Sequence, residues 1–363
     1  MEKSRGIYDL SREDIANALA GEPKYRQDQI WHSIYSTSLG IEGASTLPKA
    51  LRLKLSEDPQ FKTQLEEIER RQTDRGRTIK FLYAARDGSK IESVLMHYKS
   101  RSTLCVSSQA GCAMKCVFCA TGQMGFKRHL SAGEIVEQVM AAKIECQNTF
   151  KDSISSSKTG RLSNIVFMGM GEPLANYDKL IKAIDKINNS VGIGIRHITV
   201  STVGIVPGII KLADEEVGVK LAISLHGADD KTRSHLVPIS RRYGLDSLIE
   251  ACHYYISKTK RRISFEWAMM SGINDSIDQA EKLANIAFSL GAHVNLIPLN
   301  PTPGYLVVGS SRDRIEDFAN YLESNGVATT IRNTRGNDIA AACGQLAATN
   351  LEVGKTKVEL AKK

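Results

Sequence analysis

The most constraining feature of this sequence is a regular alternation of strand-like and helix-like segments that begins near residue 103. Six apolar segments are strand-like: TLCVSS, NIVFMG, HITVST, VKLAISL, RISFEWAM and HVNLIPL. Helix-like segments separate them near 134–148, 177–188, 205–214, 246–258 and 276–290. A further helix over 312–324 and a short strand, TTIRN, follow. Strands joined by helical crossovers predict a parallel α/β architecture, either an open doubly wound sheet or a partial barrel.

The first sixty residues lack this alternation and are helix-like throughout. Ser11 precedes acidic residues, as at a capped helix start, and the segment 25–36 places Trp31 and Tyr35 on one apolar face. Pro48 opens a third helix over 47–55. These three segments predict a small helical module ahead of the α/β region.

Between the two lies a β-like stretch, in which TIKFLYAA and KIESVLMHY flank the turn Asp87-Gly88. We therefore expect a helical accessory domain (1–60), a β-rich connector (61–100), an α/β domain (101–347) and a basic tail (348–363). The polar segment 151–163, KDSISSSKTGRLS, predicts an exposed loop.

Composition narrows the class of protein. No apolar run approaches about 18 residues, so no membrane-spanning helix is expected, and the first twenty residues lack the apolar core of a signal peptide. The seven cysteines are therefore expected to be reduced thiols of a cytoplasmic protein, where clustered cysteines more often bind metal or act in catalysis than form disulfides. The 48 basic and 40 acidic residues give a net charge of +8, which is compatible with a nucleic-acid partner.

Chemically unusual residues follow the ends of the predicted parallel strands, where ligands bind in this class of fold. They are Cys112, the pair Gly171-Glu172, Ser201, His226 and Asn300. Taken singly, Ser201 is equally a hydroxyl that satisfies backbone groups, and His226 a hydrogen-bonded core histidine. Their recurrence at successive strand ends predicts a binding site along that edge.

Three cysteines, Cys112, Cys116 and Cys119, form the spacing C-x3-C-x2-C on the loop after the first of these strands. Three thiolates hold an iron–sulfur cluster with one iron left open, whereas four would close it. The alternative is a zinc site of three cysteines with His129 as the fourth ligand. Zinc sites usually occupy small knuckles, and this loop opens a large α/β region, which favours the cluster.

Six collinear segments carry a resemblance to a known family: SSQAGCAMKCVFCATG, FMGMGEPLAN, STVGIVP, SLH, NLIPLNPTPG and TRGNDIAAACGQL. Together they resemble the radical S-adenosylmethionine (SAM) enzymes, and among these the bacterial dual-specificity RNA adenine-C2 methyltransferases. The resemblance covers about residues 90–347, and YRQDQIWHSIYS and LPKAL resemble the accessory domain of that family. It implies a partial parallel (β/α)6 barrel with a small N-terminal helical domain that contacts RNA.

The resemblance also implies cofactors and their ligands. Cys112, Cys116 and Cys119 would hold one [4Fe–4S] cluster per chain, whose open iron chelates SAM. Two SAM molecules would be used per turnover. The SAM pocket would be formed by Gly171, Glu172, Ser201, Ser224, Leu225, His226 and Asn300, with the Glu172 carboxylate facing the ammonium group.

Two isolated cysteines gain roles only through the resemblance. Cys343 falls at the methyl-carrying position and Cys105 at the second cysteine; on sequence alone both are equally small core residues. In the implied route Cys343 is methylated, a radical formed from the second SAM activates that methyl, and the carbon adds to adenine C2. Cys105 then attacks the Cys343 sulfur, which releases the RNA and leaves a transient Cys105–Cys343 disulfide. Cys146 and Cys252 match no motif and are expected to be packing thiols.

Glu92 matches the acidic position that accepts the C2 proton in that family, although a solvent-facing strand carboxylate is nearly as good an interpretation. The implied partners are 23S ribosomal RNA, transfer RNA and a low-potential electron donor such as flavodoxin, with the protein a monomer away from membranes. Residues 93–133 contain no acidic residue, so their five cations are expected to favour phosphates: Lys99, Arg101, Lys115, Lys127 and Arg128. Two further basic groups are expected to be solvated faces: Arg241, Arg242, Lys258, Lys260, Arg261 and Arg262.

Two alternatives stay open at this level. One is C8 methylation of ribosomal RNA by the resistance-conferring relatives; Pro173 and Thr334-Arg335-Gly336 favour the C2 branch weakly. The other is a zinc-stabilised, non-catalytic RNA-binding protein, which would leave MGMGEP and CGQL without a function.

Overall fold

The computed structural model describes residues 5–149, 161–302, 304–333 and 335–347. The predicted basic tail and the first ten residues of the predicted loop 151–163 lie outside the described residues. Across the described part of the chain, no helix has both the length and the apolar character needed to cross a bilayer.

One ten-stranded sheet organises the molecule, in the order β1-β2-β3-β4-β7-β8-β9-β10-β11-β12. Its strands are β1 (Leu65–Thr73), β2 (Thr78–Ala85), β3 (Lys90–His97), β4 (Ser102–Cys105), β7 (Leu162–Phe167), β8 (Ile198–Thr202), β9 (Lys220–Ser224), β10 (Ser264–Met269), β11 (His293–Pro298) and β12 (Thr329–Ile331). Within this sheet, β4 and β7 to β12 are parallel, and β1 to β4 pair in an antiparallel manner. The six predicted parallel strands lie side by side in chain order, which confirms the predicted α/β architecture.

Helices connect the parallel strands and cover the sheet. They are α5 (Ala132–Thr149), α6 (Tyr177–Lys186), α7 (Val206–Asp214), α8 (Asp230–Leu236), α9 (Leu245–Thr259), α10 (Ile277–Ser289) and α11 (Arg312–Ser324). Side chains of Asp229, Ser276 and Ser311 accept backbone N–H bonds at the starts of α8, α10 and α11, which satisfies otherwise unpaired donors. Side chains on both faces of strands such as β10 are buried, as is typical of a parallel sheet whose faces are both covered.

The N-terminal region is helical, as predicted, with α1 (Arg12–Ala18), α2 (Tyr25–Trp31) and α3 (Lys49–Glu57). Ser11 and Asp14 form a reciprocal capping box at α1, which confirms the predicted helix start. A π-helical turn, His32–Ser36, continues α2. The apolar side chains of these helices belong to the same continuous hydrophobic cluster as the large sheet.

Sequence reasoning missed several elements. Strand β1, the short hairpin of β5 (Gln109–Gly111) and β6 (Phe126–His129), the helix α8 and the short helix α4 (Ala120–Gln123) were not expected. Strand β1 carries five charged residues and buries only its first residue, so it lacks the apolar alternation that identifies a strand. The predicted hairpin of β2 and β3 is confirmed, and it extends the main sheet because β3 pairs with β4.

Candidate functional site

A large cavity opens at the carboxyl ends of the parallel strands. Five of the seven cysteines line it: Cys105, Cys112, Cys116, Cys119 and Cys343. Residues from β3, β4 and β7 to β11 contribute to its wall, so the sheet curves around it as in a partial barrel. Cys146 and Cys252 are instead fully buried within α5 and α9, as expected of packing thiols.

The residues 112–119, here called the cluster loop, are held by close backbone contacts. The Cys112 amide donates to the Gly125 carbonyl at 2.9 Å. Gly111 has a φ of +75°, and a Cβ there would lie 2.0 Å from the Gly125 oxygen. A Cβ on Gly122 would lie 3.1 Å from the Cys116 nitrogen and oxygen. Glycine is therefore required where the loop closes on itself.

The surroundings of the cluster loop decide how readily its cysteines become thiolates, the form that binds a metal cation. Burial raises the pKa of Cys112 to about 12, while the amides of Met114 and Glu172 favour its thiolate; burial also raises the pKa of Cys116. The three thiols are close enough together that charge on Cys119 raises the pKa of both others. Bound iron would offset this cost, since a coordinated thiol is deprotonated.

A buried cation lies behind the loop. Arg233 in α8 is fully buried, donates from Nη2 to the Val203 carbonyl at 2.6 Å, and has no partner for Nε or Nη1. Burial lowers its pKa to about 10, and the nearby Cys116 thiolate opposes that shift. Because a buried charge needs compensation, anionic thiolates at the loop complement this guanidinium. No sequence motif indicated Arg233.

The geometry disfavours the zinc alternative. His129 lies in β6 and does not line the cavity; its Nδ1 lies 3.0 Å from Gln109 Nε2. Zinc–sulfur bonds of about 2.3 Å would bring four donors close together around one ion. Among the described residues, no three His, Cys, Asp or Glu side chains converge in that way. The three cysteines line the same cavity, and an iron–sulfur cluster would take each thiolate at a separate corner.

Glu172 is the buried carboxylate of the site. Its Oε1 accepts from the Leu174 amide at 3.0 Å and its Oε2 from the Val203 amide at 2.9 Å. Burial raises its pKa to about 7, and no cationic side chain among the described residues pairs with it. A cavity-lining carboxylate of this kind suits an ammonium group. The neighbouring Gly171, at φ +99°, leaves no room for a Cβ, which would lie 2.4 Å from Gln109 Cβ.

Three further predicted residues line the cavity on adjacent strand ends. Ser201 and Ser224, from β8 and β9, have their hydroxyl oxygens 3.4 Å apart. His226 adopts φ +57° and accepts from the Ala268 amide at Nδ1, 2.9 Å away. Burial lowers the pKa of His226 to about 3, so the ring is neutral and carries its proton on Nε2 as a donor.

Asn300 and Leu225 differ from one another in placement. Asn300 lines the cavity, donates from Nδ2 to the Cys343 carbonyl at 3.1 Å, and has a buried Oδ1 without a partner. That oxygen is free to accept from a ligand. Leu225 is fully buried in the hydrophobic cluster and is not among the residues that line the cavity.

Residues 340–347, here called the Cys343 segment, are fastened to the cluster side of the cavity. The Ala120 amide in α4 donates to the Gly344 carbonyl at 2.8 Å. The Thr121 hydroxyl donates to the Leu346 carbonyl at 2.6 Å. These bonds bring residues from the end of the described chain against the helix that follows the cluster loop.

Cys105 and Cys343 face this same cavity although they are 238 residues apart in the sequence. Burial raises the pKa of Cys105, and the adjacent Cys343 raises it further. Cys343 is reached by solvent through the cavity mouth but is surrounded by protein, which raises its pKa, whereas Arg332 lowers it. All seven cysteines are free thiols in this structure, so the expected disulfide is absent from it.

Glu92 lies outside this constellation. It is 2 % exposed, does not line the large cavity, and forms an ion pair with Lys80 whose Oε1–Nζ distance is 3.0 Å. The predicted alternative of a solvent-facing carboxylate is wrong, because the side chain is buried. Its predicted role as proton acceptor stays a prediction.

Tyr98 and Arg335 line the cavity, and Arg101 reaches it through the Tyr98 ring. The guanidinium carbons of Arg101 and Arg335 lie 4.8 and 4.6 Å from the centroid of the Tyr98 ring. Arg128, by contrast, pairs with Asp87 and with both carboxylate oxygens of Glu134. The expectation that Arg128 is available to phosphates is therefore wrong for this structure. The sequence missed the pairing of Arg128 because its partners lie 41 and 6 residues away.

Comparisons with known proteins agree with this geometry. Residues 106–284 match the model of the radical SAM superfamily. A Corynebacterium diphtheriae protein described as a probable dual-specificity RNA methyltransferase RlmN is 46 % identical over 350 residues, covering 94 % of this chain and 92 % of the relative. The Myxococcus xanthus dual-specificity RNA methyltransferase RlmN 1 is 44 % identical, covering 96 % of each chain.

A solved structure is similar over nearly the whole molecule. The crystal structure of a radical SAM methyltransferase from Sphaerobacter thermophilus has a TM-score of 0.89 and 44 % sequence identity. The match covers 95 % of this chain and 100 % of the other. The fold similarity therefore includes the N-terminal helices, the antiparallel extension and the parallel strands.

Proposed function

Because the chain belongs to the RlmN family of dual-specificity RNA methyltransferases in the radical SAM superfamily, we propose that it methylates C2 of adenine. The proposed substrates are 23S ribosomal RNA and transfer RNA near the anticodon. The family uses SAM and a [4Fe–4S] cluster, and the residues of the cavity suit both groups.

One observation carries the proposal. Cys105 and Cys343 meet the three cysteines of the cluster loop in one cavity, although the sequence separates them widely. Packing thiols have no reason to gather at a ligand cavity, and Cys146 and Cys252 do not. Two additional thiols beside a cluster support a mechanism in which the protein itself carries the methyl group.

The proposed ligands follow from the groups that line the cavity. Cys112, Cys116 and Cys119 would hold the cluster, and Glu172 would face the ammonium group of SAM, two molecules of which would be used per turnover. Asn300 Oδ1, the His226 Nε2–H and the hydroxyls of Ser201 and Ser224 would supply the remaining polar contacts. When bound, SAM and the reduced cluster supply a methyl group and a 5′-deoxyadenosyl radical.

The residues of this chain then act in sequence. The Cys343 sulfur accepts a methyl group, and the nearby Arg332 guanidinium favours the thiolate required for that displacement. Once the carbon on Cys343 is bonded to adenine C2, the Cys105 thiolate attacks the Cys343 sulfur. The new sulfur–sulfur bond forms as the sulfur–carbon bond breaks; the electron pair of that bond passes to the carbon attached to adenine, which takes up a proton and becomes the methyl group.

The C2 proton needs an acceptor. Glu92 fills this role only in a conformation that frees its carboxylate from Lys80 and Ala347, both of which it contacts in this structure. Tyr98 and Arg335, which line the cavity, and Arg101, which contacts the Tyr98 ring, support RNA binding, since cations bind phosphates and aromatic rings stack on bases. An adenine must leave its helix to reach Cys343.

The proposal is tested with Cys105→Ala. This variant should accept a methyl group at Cys343 and add it to RNA, but it cannot release the product. RNA should remain covalently attached after denaturation, and after nuclease digestion a Cys343 peptide should carry adenosine joined through one carbon. Cys252→Ala, which removes a packing thiol, serves as the control and should carry no RNA.

The opposite results would reject the assigned roles. RNA attached to Cys343→Ala, or none on a folded, cluster-containing Cys105→Ala, would reverse or remove them. Mass spectrometry of nucleosides from cells with and without the gene identifies the product. Loss of 2-methyladenosine from both RNA classes is expected; loss of 8-methyladenosine would indicate the C8 reaction instead.

A further inference from the structure

One buried ion pair fastens both ends of the Cys343 segment. Lys80 Nζ lies 3.0 Å from Glu92 Oε1 and also donates to the Ala340 carbonyl at 3.2 Å. Glu92 Oε2 accepts from the Ala347 amide at 3.0 Å. The two charged residues therefore bond the first and the last residue of the eight-residue Cys343 segment.

The main sheet creates this arrangement. Lys80 in β2 is paired with Val94, and Glu92 in β3 is paired with Leu82, so the two charged side chains are diagonal neighbours on one face. Their exposed fractions are 7 % and 2 %. At this depth each charge depends on the other, because removing one partner leaves the second buried and uncompensated.

We infer that the Lys80–Glu92 pair is a positioning device that holds Cys343 at the cavity. Neither residue lines the cavity, so neither touches the substrate or a cofactor in this arrangement. Both act through the backbone of the Cys343 segment, whose centre carries the proposed methyl-carrying thiol. The inference rests on the proposed function, in which the location of Cys343 decides whether it can be methylated.

The same geometry separates this role from that of a proton acceptor. Each carboxylate oxygen of Glu92 already has a partner, one cationic and one an amide. A base for C2 would act only after RNA is bound, whereas a positioning pair acts on the protein before RNA arrives. Measurements made without RNA therefore distinguish the two roles.

The first measurement is amide hydrogen exchange of residues 341–347 in the purified full chain. In Glu92→Gln and Lys80→Met we expect these amides to exchange about ten-fold faster than in wild type. Each variant loses bonds to the segment whose loss changes the opening equilibrium by about one order of magnitude. Lys80→Arg, which keeps a charge and donors, should remain within about two-fold of wild type. The control is Glu69→Gln, because Glu69 lines a small void together with Lys80 and Glu92 but pairs with Arg71.

The second measurement is methylation of Cys343 from methyl-labelled SAM in the absence of RNA. In Glu92→Gln and Lys80→Met, Cys343 should be methylated about ten-fold more slowly, while iron content and SAM affinity stay unchanged. Lys80→Arg should methylate Cys343 at the wild-type rate. A merely structural defect would lower iron content or SAM affinity as well. The control, Glu69→Gln, should match wild type in both measurements.

Other results would overturn the inference. Wild-type exchange and wild-type Cys343 methylation in Glu92→Gln, with loss of RNA product alone, would make Glu92 the proton acceptor and remove its positioning role. If either single variant fails to fold, the double variant Lys80→Met/Glu92→Leu, which buries no charge, replaces it. Fast exchange in the folded double variant supports the inference, and native exchange rejects it.

Failure of the proposed function has a different signature. If wild-type protein never methylates Cys343, the proposed mechanism fails, while the exchange measurement still reports whether Lys80 and Glu92 hold the segment. If methylation occurs and exchange is unaffected by both substitutions, only the positioning role fails.

Discussion

The two cysteine-bearing segments of the cavity are built in opposite ways. The cluster loop, 112–119, is held mostly by nearby backbone, such as Cys112 to Gly125, and by glycines that allow backbones to touch, with one distant bond from the Val117 amide to the Leu236 carbonyl. The Cys343 segment, 340–347, is held by side chains and amides from β2, β3, α4 and the strand end at Asn300. The first segment is therefore held mostly by local contacts, whereas the second is held mostly by contacts with distant parts of the chain.

This difference suits the proposed tasks. A cluster requires three ligands at fixed separations, which a short loop with little conformational freedom provides. A methyl carrier must approach SAM, then RNA, then Cys105, and a segment held by a few separable bonds can be displaced without disturbing the cluster. The following predictions test this division, beginning with the largest expected effect.

Cys116→Ala should remove all methylation and deoxyadenosine formation, and Cys112→Ala and Cys119→Ala should do the same. Two thiolates cannot hold a cluster with one defined open iron. Iron analysis, visible absorption and product assays measure the effect. Turnover by any of these variants at near wild-type iron content would contradict the assignment of the cluster loop.

A second prediction compares two buried carboxylates that hold backbone segments. Glu137 accepts amides of Gln64 and Leu65 but forms no ion pair among the described residues, and burial raises its pKa to about 7. Because the folded state then binds this proton more tightly than the unfolded chain, the contribution of Glu137 to stability is greatest below about pH 4.5 and falls as the pH rises to 7.

Between pH 4.5 and pH 7 the stabilisation of the folded state by Glu137 should fall by about 3 kcal/mol. Denaturant unfolding of wild type and Glu137→Gln between pH 4.5 and 7.5 measures it, since the difference between the two isolates this carboxyl from others. A pH-independent difference would show that the buried carboxylate is compensated, as Glu92 is by Lys80.

The local character of the cluster loop is tested by two glycines. Gly111→Ala should destabilise the loop by about 2 kcal/mol more than Gly125→Ala, because both have positive φ but only Gly111 lacks space for a Cβ. Thermal unfolding and iron retention measure the difference. Equal effects would mean that backbone conformation alone, and not the close approach, fixes the loop.

The smallest expected effect concerns one bond of the Cys343 segment. Thr121→Val removes the hydroxyl that bonds the Leu346 carbonyl and should weaken protection of the segment by about 1 kcal/mol while leaving iron content unchanged. Thr259→Val, which removes a similar bond within α9, should leave the segment unaffected. Loss of iron in Thr121→Val would show that the two segments are not independent.

Features that have a local signal could be predicted from the amino-acid sequence. The alternation of strand-like and helix-like segments identified the parallel strands and their helices. The spacing of Cys112, Cys116 and Cys119 identified the cluster loop. Residues at strand ends such as Glu172 and His226 could be grouped correctly because the carboxyl ends of parallel strands share one edge of the sheet. These signals work because spacing along the chain fixes spacing in the fold.

Tertiary structure alone decided what lies between distant parts of the chain. Nothing near Cys105 predicts that Cys343 faces it; that position was reached only through family resemblance. The bonds of Lys80 and Glu92 to the Cys343 segment depend on strand register. They also join residues that are 260 and 255 positions apart in the sequence. Such contacts have no periodic signal, because each is set by how whole elements pack, and packing is a property of the complete fold.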